Sequence, residues 1–290
     1  MKKSIKIPAL FLAPAMILMF IFLILPIFAS LYISLTDFNI YSLMDWTQAE
    51  FVGLENYAKL FNDEVFWKSL KNTLYFAVVG VPLAIFFALS FAVMMNKKDV
   101  KGKEFFRAGF YLPSITNTVA VAVIWGFILN PNYGFLNWIL SFFGFEPINW
   151  LGNTTWAMPS IILFVVWKGL GHNIILFLAG LQNIPAHLYE AARIDGASKW
   201  QMFKNITLPM LKPTTFFVTV MTVIGYLQLF AEPYMLTEGG PLDSTLSVVL
   251  YMYRNGFKHF ELGYASAIGY ILFILIFVVT LIQMKFRREQ

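Results

Sequence analysis

Asn183-Ile184-Pro185-Ala186-His187-Leu188-Tyr189-Glu190-Ala191-Ala192-Arg193-Ile194-Asp195-Gly196-Ala197-Ser198-Lys199-Trp200-Gln201-Met202-Phe203-Lys204-Asn205-Ile206-Thr207-Leu208-Pro209 is a polar stretch with long apolar sequence on both sides. Pro185 suits a helix start, where its missing N–H is not needed. Leu188, Ala191, Ala192 and Ile194 continue a short amphipathic helix. Asp195-Gly196 ends it, because glycine adopts the left-handed backbone of a helix stop without steric penalty. Ser198 reads as the N-cap of a second short helix that Pro209 cannot join. The result is a compact knob over 185–209. Small Ala191, Ala192 and Ala197 beside Glu190 and Gly196 would let another protein approach closely. An ordinary connecting loop is the plainer alternative, and spacing alone leaves both open.

Working outward, the stretches 147–167 and 169–189 precede this knob, separated only by Lys168, and 213–231 follows it. These are free of Asp, Glu, Lys and Arg, as are 7–36, 72–96, 108–145 and 262–284. A spanning helix needs about 20 mostly apolar residues. Trimming at Gly, Pro, Asn and Trp signals predicts six transmembrane helices over 9–35, 72–95, 109–130, 157–181, 213–233 and 262–284. Composition agrees: of 290 residues 59% are apolar and 13% charged, with 31 Phe, 13 Tyr and 8 Trp. The mean hydropathy is +0.68. Soluble domains carry about 25% charged residues. The fold class is therefore an all-α, multi-pass membrane protein in a lipid bilayer, with a single transmembrane domain over 1–290. Lys2, Lys3 and Lys6 before the first apolar run also describe a signal peptide, whose core is only about 7–15 residues. Here the run reaches Leu35 and predicts a retained helix.

Lys and Arg in alternate loops set the orientation. One side holds Lys2, Lys3, Lys6, then Lys97, Lys98, Lys101, Lys103, Arg107, then Arg193, Lys199, Lys204, Lys212, then Lys285, Arg287, Arg288. The other holds only Lys59, Lys68, Lys71, Arg254 and Lys258. Both termini, and the knob, are expected in the cytoplasm. The net charge of +5 thus reflects topology, not a nucleic-acid surface. In the longest outer loop, 36–71, Phe51, Leu54, Tyr57 and Phe61 recur at helical spacing and predict an amphipathic element along the membrane surface.

Absences narrow the chemistry. With no Cys, thiol catalysis and Cys-ligated metals are excluded. His172, His187 and His259 fall in a span, an inner loop and an outer loop, so they do not converge on a metal. There is no G-x-x-x-x-G-K-[ST] and no G-x-S-x-G, which leaves no support for an enzyme. Polar groups inside spans are costly and are candidates for function. Lys168 lies about eleven residues into the fourth span, near the midplane at roughly 1.5 Å per residue. His172 and Asn173 are one turn on, and Gly169 and Gly171 permit close approach. On the fifth span Met221 or Thr222, Gly225, Gln228 or Leu229, and Glu232 recur at steps of three or four, one polar face. Asn117, Thr118 and Trp125 on the third span add hydrogen bonding and stacking. Each has a structural alternative: Lys168 as an ion pair with Glu232 or a partner residue, His172 as an interhelical hydrogen-bonder, Trp125 as packing, Glu232 as a solvated boundary residue.

The motif Glu190-Ala191-Ala192, three residues, Gly196, nine residues, Ile206-x-Leu208-Pro209 resembles the EAA loop of binding-protein-dependent ABC import permeases. Asp195-Gly196-Ala197 resembles the sugar-importer, maltose-type branch. Phe51-Val52-Gly53-Leu54-Glu55-Asn56-Tyr57, Tyr111-Leu112-Pro113-Ser114, Leu236-Thr237-x-Gly239-Gly240-Pro241 and Gly263-Tyr264-Ala265-Ser266-Ala267 agree along nearly the whole chain. The Thr-x-Gly-Gly-Pro loop resembles that of the first of the two permease subunits in such importers.

The resemblance implies a type I importer fold of the MetI-like kind in the cell membrane. It also implies a second, homologous permease subunit, two cytoplasmic ABC ATPases and an extracellular solute-binding protein. ATP and Mg would bind in the partner ATPases, with no cofactor in this chain. Tyr189, Glu190, Ala191, Ala192, Asp195, Gly196 and Ala197 would couple to those ATPases, and the fourth and fifth spans would supply the sugar contacts. If Lys168 meets an anionic group, the cargo is an acidic sugar; a neutral oligosaccharide fits equally well. Two alternatives remain at this point, a phosphorylated cargo such as a glycerol phosphate, and an ion-coupled secondary carrier using Lys168 and Glu232.

Overall fold

The computed structural model describes residues 6–97 and 101–288. Lys2, Lys3 and Lys98, which count toward the charge asymmetry, fall outside the described residues, as do both chain ends. The chain forms two compact units, one of the sequence up to Phe66 with Tyr251–Leu275, the other of Trp67–Leu250 with the sequence from Ile276.

Every regular element is helical among the described residues. In order these are α1 (Lys6–Met19), α2 (Leu25–Ser34), α3 (Ile40–Met44), α4 (Glu55–Phe61), α5 (Glu64–Met95), α6 (Lys103–Ile115), α7 (Thr118–Ile128), α8 (Phe135–Phe142) and α9 (Ala157–Gln182). There follow α10 (Ala186–Ile194), α11 (Lys199–Met202), α12 (Leu208–Met210), α13 (Lys212–Leu227), α14 (Ala231–Leu236), α15 (Val248–Tyr253) and α16 (Leu262–Arg288). Four helical stretches are long and apolar enough to span a bilayer: Phe11–Ser34, Glu64–Met95, Ala157–Gln182 and Leu262–Lys285. Two bent pairs bring the candidates to six.

Prolines explain one departure from the sequence reading. Lys199–Met210 runs on as one helix, so Pro209 does sit in the second helix of the knob, against expectation. The reason is a π-helical turn at Phe203–Thr207, where the Leu208 N–H bonds to the Phe203 carbonyl five residues back. Widening the turn relieves the clash between a proline ring and the carbonyl one turn back, although Pro209 still contributes no N–H. The same device recurs in the first span. A π-turn at Phe20–Ile24 precedes Pro26, and the Leu25 N–H bonds to the Phe20 carbonyl.

In the first unit, Gly263 donates its N–H to the Phe38 carbonyl (2.9 Å). Asn56 Nδ2 donates to the carbonyls of Ser34 (3.0 Å) and Thr36 (2.8 Å). The loop expected to be helical from Phe51 starts its helix only at Glu55. Phe51 instead pairs with Thr36 in an isolated antiparallel bridge, so Phe51 does not share a helical face with Tyr57 and Phe61. Asp63 is the hub here. It accepts the Val65 N–H (2.8 Å) and the Phe66 N–H (3.2 Å) at the start of α5, and hydroxyls from Tyr264 (2.5 Å) and Tyr251. Burial alone would push the Asp63 carboxyl up, but the bonds from Tyr251, Tyr264, Phe66 and Val65 outweigh it and hold it below the ordinary value. Burial, then the Asp63 bond and charge, push the Tyr251 hydroxyl up to about 12.

In the second unit α9 is the central helix. Phe76, Ala77, Val81 and Ala84 of α5 pack on Met158, Ile161, Ile162 and Val166 of α9 and on Tyr226 and Leu227 of α13. Further along, Ala88, Ala92 and Met95 meet Leu170, Ile174, Phe177, Leu178 and Leu181, with Leu211 and Val218. Recurrence at three and four residues puts each set on one helical face. Helix α6 crosses α9 at Gly171, where a Cβ would lie 2.0 Å from the Phe110 carbonyl oxygen. Only glycine allows that approach.

Two expected spans are broken. The third, expected over 109–130, is α6 and α7 bent by 102°. Thr116 is extended, and the Asn117 side chain caps α7 by accepting the Val119 N–H (2.8 Å). The fifth, expected over 213–233, stops at Leu227, and Glu232 belongs to the separate helix α14. The second span also begins at Glu64, eight residues before 72, because Asp63 supplies an N-cap there.

Candidate functional site

The knob is built by capping chemistry. Pro185 is extended (φ −61°, ψ 130°) and opens α10. At the other end Gly196 has φ +75°, and the Ala197 N–H reaches the Ala192 carbonyl (2.8 Å) while the Gly196 N–H reaches that of Arg193 (3.1 Å). This is the Schellman arrangement, which needs a left-handed residue. Nothing lies within 4 Å of a Cβ placed on Gly196, so the requirement is conformational and not one of space. Ser198 and Gln201 close a capping box: the Gln201 side chain accepts the Ser198 N–H (2.7 Å), and Ser198 Oγ accepts the Gln201 N–H (3.3 Å). The hydroxyls of Tyr189 and Thr207 share a hydrogen bond (2.9 Å) that ties α10 to the second helix.

Glu190, Ala191, Asp195 and Gly196 are exposed, whereas Tyr189, Ala192 and Ala197 are half-buried. Two large apolar side chains that the sequence reading left out of the coupling set stand out from the knob, Ile194 at 87% and Trp200 at 69% exposure. Trp200 leans on Phe203, ring centroids 5.6 Å apart. A single apolar residue in an amphipathic helix reads as core. The signal available in sequence was that both flank the glycine turn. Beneath α10 a cleft of about 470 Å³ is lined by residues including Asn96, Lys97, Gln182, Tyr189 and Arg193.

The intramembrane polar residues do not form one face. Lys168 is half-buried, and its carbonyl accepts Ser114 Oγ (2.8 Å). Among the described residues no ion pair involves its ammonium, and Glu232 belongs to the separate helix α14. Gly169 and Gly225 border open space and His172 and Gln228 are exposed. Asn173 is buried, and Thr222 is buried with its hydroxyl turned back to the Val218 carbonyl (2.7 Å). Asn117 is exposed but its amide oxygen is used by the cap of α7. Trp125 is buried between Phe164 and Trp167, with centroids 5.4 Å from each. The continuous face expected through Thr222, Gly225, Gln228 and Glu232 fails because α13 ends before Gln228. Among the described residues no three His, Cys, Asp or Glu side chains gather as for a metal.

The long apolar helices and the capped knob are in keeping with the resemblance to import permeases, and comparison with known proteins shows the family. Residues 80–288 match the family of binding-protein-dependent transport system inner membrane components, and the chain belongs to that family. It is 38% identical over 283 residues to a probable ABC transporter permease protein of Bacillus subtilis (YurN), covering 97% of this chain and 95% of that one. It is also 38% identical to the lactose transport system permease protein of Rhizobium radiobacter, over 97% and 94% of the two chains. The fold superposes on the crystal structure of a bacterial alginate ABC transporter in complex with an alginate pentasaccharide-bound periplasmic protein. There the TM-score is 0.83 at 26% identity, covering 96% of this chain and 92% of the other. The fold is thus the all-helical, MetI-like fold of type I importers.

Proposed function

We propose that the chain is the transmembrane permease subunit of an ATP-driven importer that takes up a sugar or oligosaccharide handed over by an extracellular binding protein. The observation that carries the cargo class is the likeness, over nearly the full length of both chains, to a lactose permease. It is supported by the alginate transporter, whose crystal structure includes a loaded periplasmic protein. In this reading both termini face the cytoplasm, in keeping with the Lys and Arg distribution.

A second, homologous permease completes the pore. The stretch Phe11–Ser34, with none of its most apolar window buried within the chain, supports a need for lipid or a partner around it. Two cytoplasmic ATPases, which hold ATP and Mg, grip the knob through Tyr189, Glu190, Ala191, Ala192, Asp195, Gly196 and Ala197. Their closure moves it as a rigid body and rocks the spans between inward- and outward-facing states. Lys168, Gly169, His172, Asn173, Thr222, Gly225, Gln228, Glu232, Asn117 and Trp125 are the proposed cargo-side residues, with Asn117, His172, Gly225 and Gln228 the exposed ones and Lys168 and Gly169 half-buried. The test is hydrolysis by the purified assembly in lipid, challenged with a panel of ligand-loaded binding proteins. One loaded protein should stimulate it. Uptake on an ion gradient without ATP would overturn the reading in favour of a secondary carrier.

Within this function an acidic sugar is favoured over a neutral one by one observation: the Lys168 ammonium has no ion-pair partner among the described residues. A charged hydrogen bond contributes about 1.5–3 kcal/mol, so Lys168→Leu should reduce uptake of an acidic cargo on the order of tenfold or more. Unchanged uptake of that cargo would leave Lys168 without a recognition role.

A further inference from the structure

The segment between α7 and α9 has a polar pin inside and an aromatic ridge outside. Asn137, buried in α8, donates through Nδ2 to the carbonyls of Pro131 (3.0 Å) and Ile148 (2.9 Å). Its Oδ1 accepts the Ile148 N–H (3.1 Å) and the Trp150 Nε1–H (2.9 Å). Both donors and both lone pairs of the amide are satisfied, so the returning chain is fastened to the inner face of α8.

On the opposite face Phe135, Trp138 and Phe142 follow one another at three and four residues, 55%, 56% and 69% exposed. Their rings touch in sequence, Phe135 stacked on Trp138 at 5.6 Å and Trp138 edge-on to Phe142 at 4.7 Å. Exposed Phe143 and Phe145 extend the ridge.

Such a surface is not left in water: each Å² of apolar area removed from it gains about 25 cal/mol. Two features say what covers it. Glu146 is the only charged residue between Arg107 and Lys168, so the ridge lacks the polar, charged rim of a protein interface. The segment also leads straight into α9, a helix long enough to cross a bilayer, which keeps α8 within reach of the membrane surface. Phe and Trp on one side of a short helix are the composition of the headgroup boundary.

We propose that α8 lies in the lipid headgroup–acyl boundary with Phe135, Trp138, Phe142, Phe143 and Phe145 in lipid, an interfacial anchor that fixes the connection between α7 and α9. The occupant is the bilayer itself, and the inference needs only that the chain is membrane-embedded, whatever its cargo.

Because the chain has no cysteine, single-site spin labelling needs no background substitutions within it, and any cysteines of the partner subunits are replaced beforehand. Labels at Phe142→Cys and at Ser141→Cys, the latter leaving every ridge aromatic in place, are compared with one at exposed Asn132→Cys in the assembled importer in lipid. Collision rates with oxygen and with a water-soluble nickel chelate are measured. Lipid burial predicts an oxygen-to-nickel ratio several-fold higher at 142 than at 132, with 141 between them. A ratio at 142 equal to that at 132 would overturn the proposal as a wetted surface. Shielding from both reagents would overturn it in favour of a protein partner.

Discussion

Two short loops of the same unit solve opposite problems. The knob at 185–209 is closed on itself by the Gly196 turn, the Ser198–Gln201 box and the Tyr189–Thr207 bond, and it turns Ile194 and Trp200 outward. The loop at 237–245 is also folded on itself: Thr237 and Thr245 share a hydroxyl bond (2.7 Å), and Thr245 Oγ1 donates to the Gly240 carbonyl (2.8 Å). That loop, however, is tied to the body of the unit. Lys68 Nζ donates to the Leu242 carbonyl (2.6 Å), and Asn72 Nδ2 to those of Asp243 (2.7 Å) and Leu246 (3.0 Å). One loop leaves large apolar side chains exposed; the other is hydrogen-bonded back to its own unit. Internal caps hold the knob's own shape above an apolar seat at Leu188, Tyr189 and Ile206, and long-range hydrogen bonds fasten the other loop to its scaffold.

The largest test of this contrast is to remove the knob's outward anchors. Buried apolar or aromatic hot spots are worth about 2 kcal/mol or more each. The Ile194→Ser, Trp200→Ser pair should therefore weaken binding of the ATPase subunits to the reconstituted permease on the order of a hundredfold or more. The folded permease should be unaffected, since both side chains are exposed. Equal affinity for wild type and variant would mean that the knob's apolar residues face lipid or water.

A smaller effect is expected from Asn72→Ala, which strands two carbonyls at about 1 kcal/mol of net stability each. Faster backbone hydrogen exchange confined to 237–248, with ATPase affinity unchanged, is the expected result. Loss of ATPase binding in that variant would erase the distinction between the two loops.

Smallest is the response of the Asp63 hub, a third anchored turn. Its carboxyl is held below the ordinary value of about 3.9, so its stabilising bonds are fully present above that pH. They are lost as pH falls through the lower folded-state value. Thermal stability of the wild type should fall more steeply below about pH 4 than that of Asp63→Asn. Parallel acid limbs would mean the hub is not a carboxylate in the folded protein.

The apolar, charge-free stretches were legible, since burying charge in lipid is expensive wherever it occurs. So was the turn at Gly196, because glycine after Asp195 in a short amphipathic run points to a left-handed helix stop. The breaks were not legible. Thr116-Asn117 is a polar pair inside apolar sequence, and only its use of Asn117 as a cap turns it into a 102° bend. Pro209 reads as a helix stop until a π-turn placed before it makes room. The polar periodicity through Gln228 and Glu232 presumed a helix that ends at Leu227, and no local preference in Gln228-Leu229-Phe230 announces that end. Trp125, with its apolar ring, reads equally as ligand stack and as core; its packing on Phe164 and Trp167 comes from residues distant in sequence.

The most direct test of the account is the rate of hydrolysis stimulated by loaded binding protein in assemblies carrying Gly196→Val. No side chain obstructs the substitution, but a β-branched residue at φ +75° is strained by at least about 1–2 kcal/mol. That strain falls on the turn that joins the knob's two helices. Assemblies should form and hydrolyse ATP at the basal rate but lose stimulation by the loaded binding protein. Stimulation equal to wild type in a fully assembled complex would contradict this.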